Sequence, residues 1–283
     1  MLNEPRTYRN PTLPLIFAIL MLVAILIIGI FTFITFLNLN QDQNTFFFIL
    51  PFGIIIISIG IILVLAMTSK TVISDTEISS QNILGTKSLR WDEIHRVSGS
   101  GYGIKLHNFD GDVTVSPNSQ LPGYEEVVEW IGIKRPDLFN PQEYGEMRRN
   151  WAGTILSIAV VILIVGFGVL GGISSSQWFP SVFFLVIGLV ILATIFSTPQ
   201  SVSIQGNSLL IKYLFSEKAL RVDAIELIQL AYQRSRNGKN YYVRLNLPDK
   251  KTIRISNMNP GLPIVYWTLK NWHKRNVVKD SSF

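Results

Sequence analysis

Gly166-Phe167-Gly168-Val169-Leu170-Gly171 spells the G-x-G-x-x-G of a dinucleotide-binding turn. That turn needs a strand before it and an acidic residue about 20 positions on to hold a ribose. Neither is present, and the hexamer lies within an apolar run, residues 150–211, that carries no charge. Small residues there suit close helix packing, and Gly168 with Gly172 gives the G-x-x-x-G spacing used for it. His95, His107 and His273 have no second ligand type at metal spacing. Without cysteine there is no thiolate nucleophile, thiolate metal site or disulfide framework, and neither G-x-S-x-G nor H-E-x-x-H occurs. The inventory advertises no catalytic residue, cofactor or metal site, and suggests no nucleic-acid partner.

Charge is the more informative chemistry. Residues 70–149 hold nine basic and twelve acidic side chains, whereas residues 212–283 hold fourteen basic and five acidic. The basic excess gathers at Arg234, Arg236 and Lys239 and again at Lys250, Lys251 and Arg254. Beside an anionic leaflet each such cation contributes about 1 kcal/mol, fading within a Debye length. The same cations suit an acidic protein partner. A further option is docking of the acidic first half on the basic second, with Glu125, Glu126 or Glu129 facing the basic loop.

The elements that must position these residues come in two copies. Ser88-Leu89-Arg90-Trp91-Asp92-Glu93-Ile94 returns as Ala219-Leu220-Arg221-Val222-Asp223-Ala224-Ile225, an offset of 131 that also places Ile73 on Ile204 and Ile78 on Leu209. Arg90 with Asp92, and Arg221 with Asp223, have the spacing of an ion pair that fixes a turn inside each copy. Each copy follows a long apolar stretch, and such a repeat reads as one supersecondary unit used twice. Between Arg9 and Lys70 the only charged residue is Asp42, so each stretch is long enough for two helices of about 20 residues. The run at 13–37 is too long for a signal peptide and reads as a retained anchor.

Expected boundaries follow: an N-terminal segment 1–12, a transmembrane hairpin 13–68, a β-rich domain 69–140, a linker 141–150, a second hairpin 151–197, a second β-rich domain 198–276 and a tail 277–283. The helices carry no Lys, Arg, Glu or His, as anchors would, and all twenty-five Lys and Arg lie outside them and their short turns. The positive-inside rule then places both termini and both soluble domains in the cytoplasm. Within each domain, short β-type runs precede a helix that opens at Pro122-Gly123 or Pro260-Gly261. Tyr124, Val127, Val128 and Ile131 share one face of the first such helix. The second copy is some seven residues longer, an addition expected at a hairpin tip, residues 234–240.

Two membrane helices, then strands, a Leu-Arg-Trp-Asp-Glu-Ile step and a terminal helix resemble the bacterial membrane proteins that carry pleckstrin-homology-like (PH-like) domains. Trp91-Asp92-Glu93-Ile94 and Val222-Asp223-Ala224-Ile225 carry the match. The resemblance implies a membrane α plus β fold: two transmembrane hairpins, each followed by a cytoplasmic PH-like antiparallel β-barrel capped by a C-terminal helix. It also implies a plasma-membrane, multi-pass location and binding rather than catalysis. The expected function is a non-enzymatic module whose basic second domain contacts anionic lipid headgroups or an acidic protein partner, self-association included. The alternative is an accessory or scaffold subunit of a transport or envelope assembly.

Overall fold

The computed structural model describes residues 4–10, 68–174, 178–235 and 238–280, with isolated positions 23, 27, 29, 58, 60 and 61. The helices expected at 14–37 and 46–67 fall outside these residues except at those isolated positions, and Arg236 falls outside them too. The chain forms two compact units, Met1–Ile94 with His107–Val127, and His95–Leu106 with Val128–Phe283. The division does not follow the two repeats.

In the first unit, β1 (Arg6–Arg9), β2 (Lys70–Ile73), β3 (Glu77–Asn82) and β4 (Gly85–Arg90) form an antiparallel sheet in that order. Ile73, Ile78 and Leu89 sit on its buried side, as a period of two requires. The repeated step ends the sheet: Trp91–Glu93 forms a 3-10 turn in which the Trp91 indole donates to the Ser74 carbonyl at 3.1 Å and Ile94 is fully buried. A one-turn helix breaks the strand ladder, so the chain leaves the sheet there. Next in the chain come β5 (Arg96–Ser98), which belongs to the second unit, β6 (Lys105–His107), β7 (Thr114–Val115) of the first unit, and the helix α1 (Tyr124–Lys134); the bounds between the units fall within β6 and α1. Tyr124, Val127, Val128 and Ile131 are all fully buried, so the expected face is the packed one.

The second unit adds β8 (Glu146–Arg149), α2 (Trp151–Ser174), α3 (Trp178–Phe196), β9 (Ser201–Gln205), β10 (Ser208–Lys212) and β11 (Glu217–Arg221). A 3-10 turn at Val222–Ala224 again ends the sheet, before β12 (Leu227–Ser235), β13 (Gly238–Asn246), β14 (Thr252–Ile255), β15 (Met258–Asn259) and α4 (Leu262–Asp280). One sheet runs β11-β10-β9-β8-β15 and another β12-β13-β14. The residues added in this copy lengthen the β12–β13 hairpin at its tip, where pairing continues out to Ser235 opposite Gly238. The expected N-terminal segment and linker contribute strands: β1 pairs with β2, and β8 with β9.

The expected fold class is corrected here. Among the described residues there are four α-helices, and one of them, over Thr154–Gly172, is long and apolar enough to cross a membrane by length and composition, with mean hydropathy 2.7. In its partner α3 the described apolar stretch Ser181–Phe196 is shorter, about 24 Å at 1.5 Å per residue, against the ~30 Å of hydrocarbon. The strands lie in four separate antiparallel sheets and not in two barrels, because the 3-10 turns interrupt the ladders that closure would need.

Glycine positions explain how α2 meets α3. A side chain at Gly168 would collide with the Phe184 ring and one at Gly188 with Val165, whereas Gly166 and Gly171 have nothing within 4 Å. The Ser181 hydroxyl donates to the Gly168 carbonyl at 3.3 Å. Gly168 is therefore a packing glycine, and the dinucleotide-like hexamer is helix throughout.

Another close approach organises the rest of the second unit. Trp267 on α4 lies against Gly132 of α1, where a β-carbon would overlap the indole ring. Its Nε1 donates to the Val128 carbonyl at 2.8 Å, and the Phe139 ring flanks it at 6.1 Å. Gly132→Ala should therefore destabilise the unit by about 1–3 kcal/mol, as overpacking does. Thermal unfolding should show the loss, and Gly132→Ala combined with Trp267→Leu should cost less than the sum of the two changes; strict additivity would mean that Gly132 does not make room for the indole.

Candidate binding surface

The basic residues singled out by sequence lie on or beside the β12-β13-β14 sheet. β12 and β13 together contain three basic residues, Arg234, Lys239 and Arg244, and no acidic one, and Arg236, which follows β12 in sequence, falls outside the described residues. Side chains alternate across a strand, so the register sorts the remainder by face. Arg234 stands opposite Lys239 and Tyr232 opposite Tyr241, all four on one face. Arg244 stands opposite Arg254 on the other face, which Tyr242 shares.

Aromatic rings hold these cations in place. The Lys239 ammonium lies 4.2 Å from the centre of the Tyr232 ring and 5.9 Å from that of Tyr241. Arg254 lies 4.9 Å from the centre of the Tyr242 ring. Such contacts satisfy a cation without neutralising it. Arg244, which charge counting did not single out, donates to Gln229 across the other neighbouring strand. That division lets two directly opposed guanidinium groups lean apart. The signal for it was the alternation Tyr242-Val243-Arg244-Leu245, polar out and apolar in.

Lys250 and Lys251 lie elsewhere. They flank the end of a short 3-10 turn, Pro248–Lys250, between β13 and β14. At roughly 3.4 Å per residue the end of β13 at Asn246, beyond which they lie, is about 24 Å along the strand from Lys239. The five described candidates therefore do not converge. The tip pair Arg234 and Lys239 is one basic site, Arg254 with Arg244 is a second on the opposite face, and the two lysines form a third.

The repeated Arg-x-Asp step is structural in form. Arg90 meets Asp92 at 3.3 Å and Arg221 meets Asp223 at 3.4 Å, in both cases at the exposed surface of the 3-10 turn, while Trp91, Ile94 and Ile225 are buried beneath. Exposed pairs of this kind contribute little to stability.

Of the three glutamates considered for docking, Glu126 accepts a hydrogen bond from Tyr8 at 3.0 Å and lies 3.5 Å from Arg6. Glu129 meets Lys270 of α4 at 2.9 Å and accepts from the Tyr266 hydroxyl. The acidic partner of the second copy's helix is thus Glu129, and its cation is Lys270 instead of the β12–β13 tip. Lys270 also lies 4.4 Å from the centre of the Trp267 ring, so the ion pair caps the packed indole. Near the other end of α4, Gln142, Gly145, Ile204, Gly206, Trp272 and Arg275 line an open cleft of about 480 Å³ that the basic hairpin does not reach.

No protein-family model matches the chain, and no curated protein sequence matches it.

Burial, then the hydrogen bond to Glu129 and its negative charge, raise the Tyr266 pKa far above the ordinary 10.0. The folded chain therefore keeps this proton where the unfolded chain loses it. Its contribution is fully present below pH 10 and is lost as pH rises further. Thermal unfolding at stepped pH should show a shallower alkaline loss for Tyr266→Phe than for the parent chain, and equal slopes would show that Tyr266 ionisation is not coupled to folding.

Proposed function

We propose that the chain is a membrane-anchored, non-catalytic binding module whose β12–β13 hairpin engages anionic groups at the cytoplasmic membrane surface. The observation that carries this reading is the hairpin tip. Arg234 and Lys239 face each other across the ladder with no acidic residue in either strand. Like charges directly opposite are destabilising on their own, and an anion between them removes that penalty.

The anchor is supported by α2, of which 17% of the membrane-length stretch is buried within the protein. A core helix of a soluble domain would be covered. Ile155, Leu156, Ile162, Leu163 and Phe167 instead point outward, as do Phe179, Phe183 and Leu189 of α3. Cytoplasmic placement of the β-rich parts is supported by the Lys and Arg, all of which lie outside the apolar stretches. The resemblance of the repeated Arg-x-Asp-x-Ile step to PH-like membrane proteins supports binding rather than catalysis.

Hydrogen exchange of the full chain in lipid nanodiscs tests the proposal. Backbone amides of β12 and β13 should exchange more slowly in anionic than in neutral discs, and the difference should vanish in about 0.5 M salt, where the Debye length falls to a few ångströms. Arg234→Glu with Lys239→Glu should abolish it. Equal exchange in the two kinds of disc would reject the lipid reading and leave an acidic protein as the partner of this face.

A further inference from the structure

Large apolar side chains exposed singly on a surface are ordinary. Here a pair is exposed at the same place in both copies of the repeat. The turn between β3 and β4 carries Ile83 and Leu84, 64% and 78% exposed, and the turn between β10 and β11 carries Leu214 and Phe215, 41% and 87% exposed. The two pairs correspond at the offset of 131 that relates the copies. Little else about the turns is shared, since Asn82 and Gly85 shape one and Tyr213 and Ser216 the other. What the duplication has kept is the apolar pair.

Strand register places both pairs at the same end of their sheets. α3 ends at Phe196 and β9 begins at Ser201. β10 runs back antiparallel to it, so Lys212 lies opposite Ser201, and the Gln200 amide donates to the Lys212 carbonyl at 2.7 Å. The β10–β11 turn is therefore returned to the edge where the chain leaves the apolar helix. The first unit repeats this geometry: Thr68 is helical, β2 begins at Lys70, Lys70 lies opposite Gln81, and the next residues form the β3–β4 turn. Both turns are held shut, by Leu84 N–H donating to the Asn82 side chain at 3.0 Å and by Tyr213 N–H donating to the Ser216 carbonyl at 2.8 Å. Lys87 and Lys218 follow the turns at equivalent positions, and such side chains lay their stems along apolar surface while the ammonium stays among polar groups.

We propose that Ile83 with Leu84, and Leu214 with Phe215, insert into the interfacial layer of the lipid bilayer beside the helices that precede them, seating each sheet on the membrane. The inference rests on the membrane-anchor reading of the apolar stretches but not on binding of anionic groups by β12–β13.

The chain contains no cysteine, so single-cysteine variants can carry one environment-sensitive fluorophore each. The full chain would be reconstituted in vesicles with Leu84→Cys or Phe215→Cys, with Thr76→Cys and Asn207→Cys at the opposite turns as aqueous references. Leu163→Cys on the outer side of α2 would report on the anchor. Emission at positions 84 and 215 should shift to the blue, and shallow brominated lipid should quench it several-fold more than at positions 76 and 207. Quenching at 163 with positions 84 and 215 as aqueous as the references would overturn the proposal and leave the anchor standing. A blue shift without lipid quenching would overturn it too, by showing that protein covers the turns. Absence of lipid quenching at 163 would remove the anchor reading and this inference with it.

Discussion

Backbone pairing between the strand that precedes an apolar stretch and the strand that follows it is the constraint on which the other features depend. Arg148 of β8 lies opposite Ser201 of β9, and the Arg149 amide donates to the Gln200 carbonyl at 2.8 Å. The two helices between them must therefore leave and rejoin one sheet edge. Arg149 strengthens the closure: its guanidinium donates at 2.8 Å to the Ile195 carbonyl, one of the last in α3, where a helix has no backbone donors of its own to offer. A cation also opposes the negative end of the helix dipole there. Burial lowers the pKa of this arginine, and a guanidinium stays charged under such a shift. In the other unit Arg9 pairs opposite Lys70.

The second organising contact is steric. Gly132 allows α4 to lay Trp267 on α1, and Val128, Phe139, Glu129 and Lys270 then satisfy the indole's nitrogen, edge and face. This contact lies within the unit formed by His95–Leu106 and Val128–Phe283, and residues of both repeats contribute to it. The glutamate lies where docking of the acidic half on the basic half would need one, but its partner is a helix lysine. A segment cut at the start of the second copy would leave Trp267 without its carbonyl and its glycine. The compact units thus do not coincide with the repeats.

The distribution of cations follows from strand geometry. The five described candidates, Arg234, Lys239, Lys250, Lys251 and Arg254, are divided by alternation and hairpin length into a tip, a far face and a distant turn, so their number overstates any one patch. The tip is the part best suited to an anion, because its two cations oppose each other and Lys239 is positioned by tyrosine rings.

The sequence alone determined what depends on local pattern. The duplication, the bounds of α2 and α3, the buried face of α1 and most strands were legible, because apolar period and turn residues act over a few positions. Long-range pairing was not. Arg6–Arg9 and Glu146–Arg149 carry little strand signal, and they become strands because a sheet edge elsewhere offers partners. Among the described residues, the four sheets in place of two barrels follow from the 3-10 turns at the repeated step, whose Arg-x-Asp spacing does not by itself reveal that it interrupts a ladder. The split of the basic cluster, the pairing of Glu129 with Lys270 and the need for glycine at 132 were likewise decided by tertiary structure. Each depends on which residues, more than a hundred positions apart or on opposite faces of one strand, come within contact distance, and a one-dimensional pattern does not encode that.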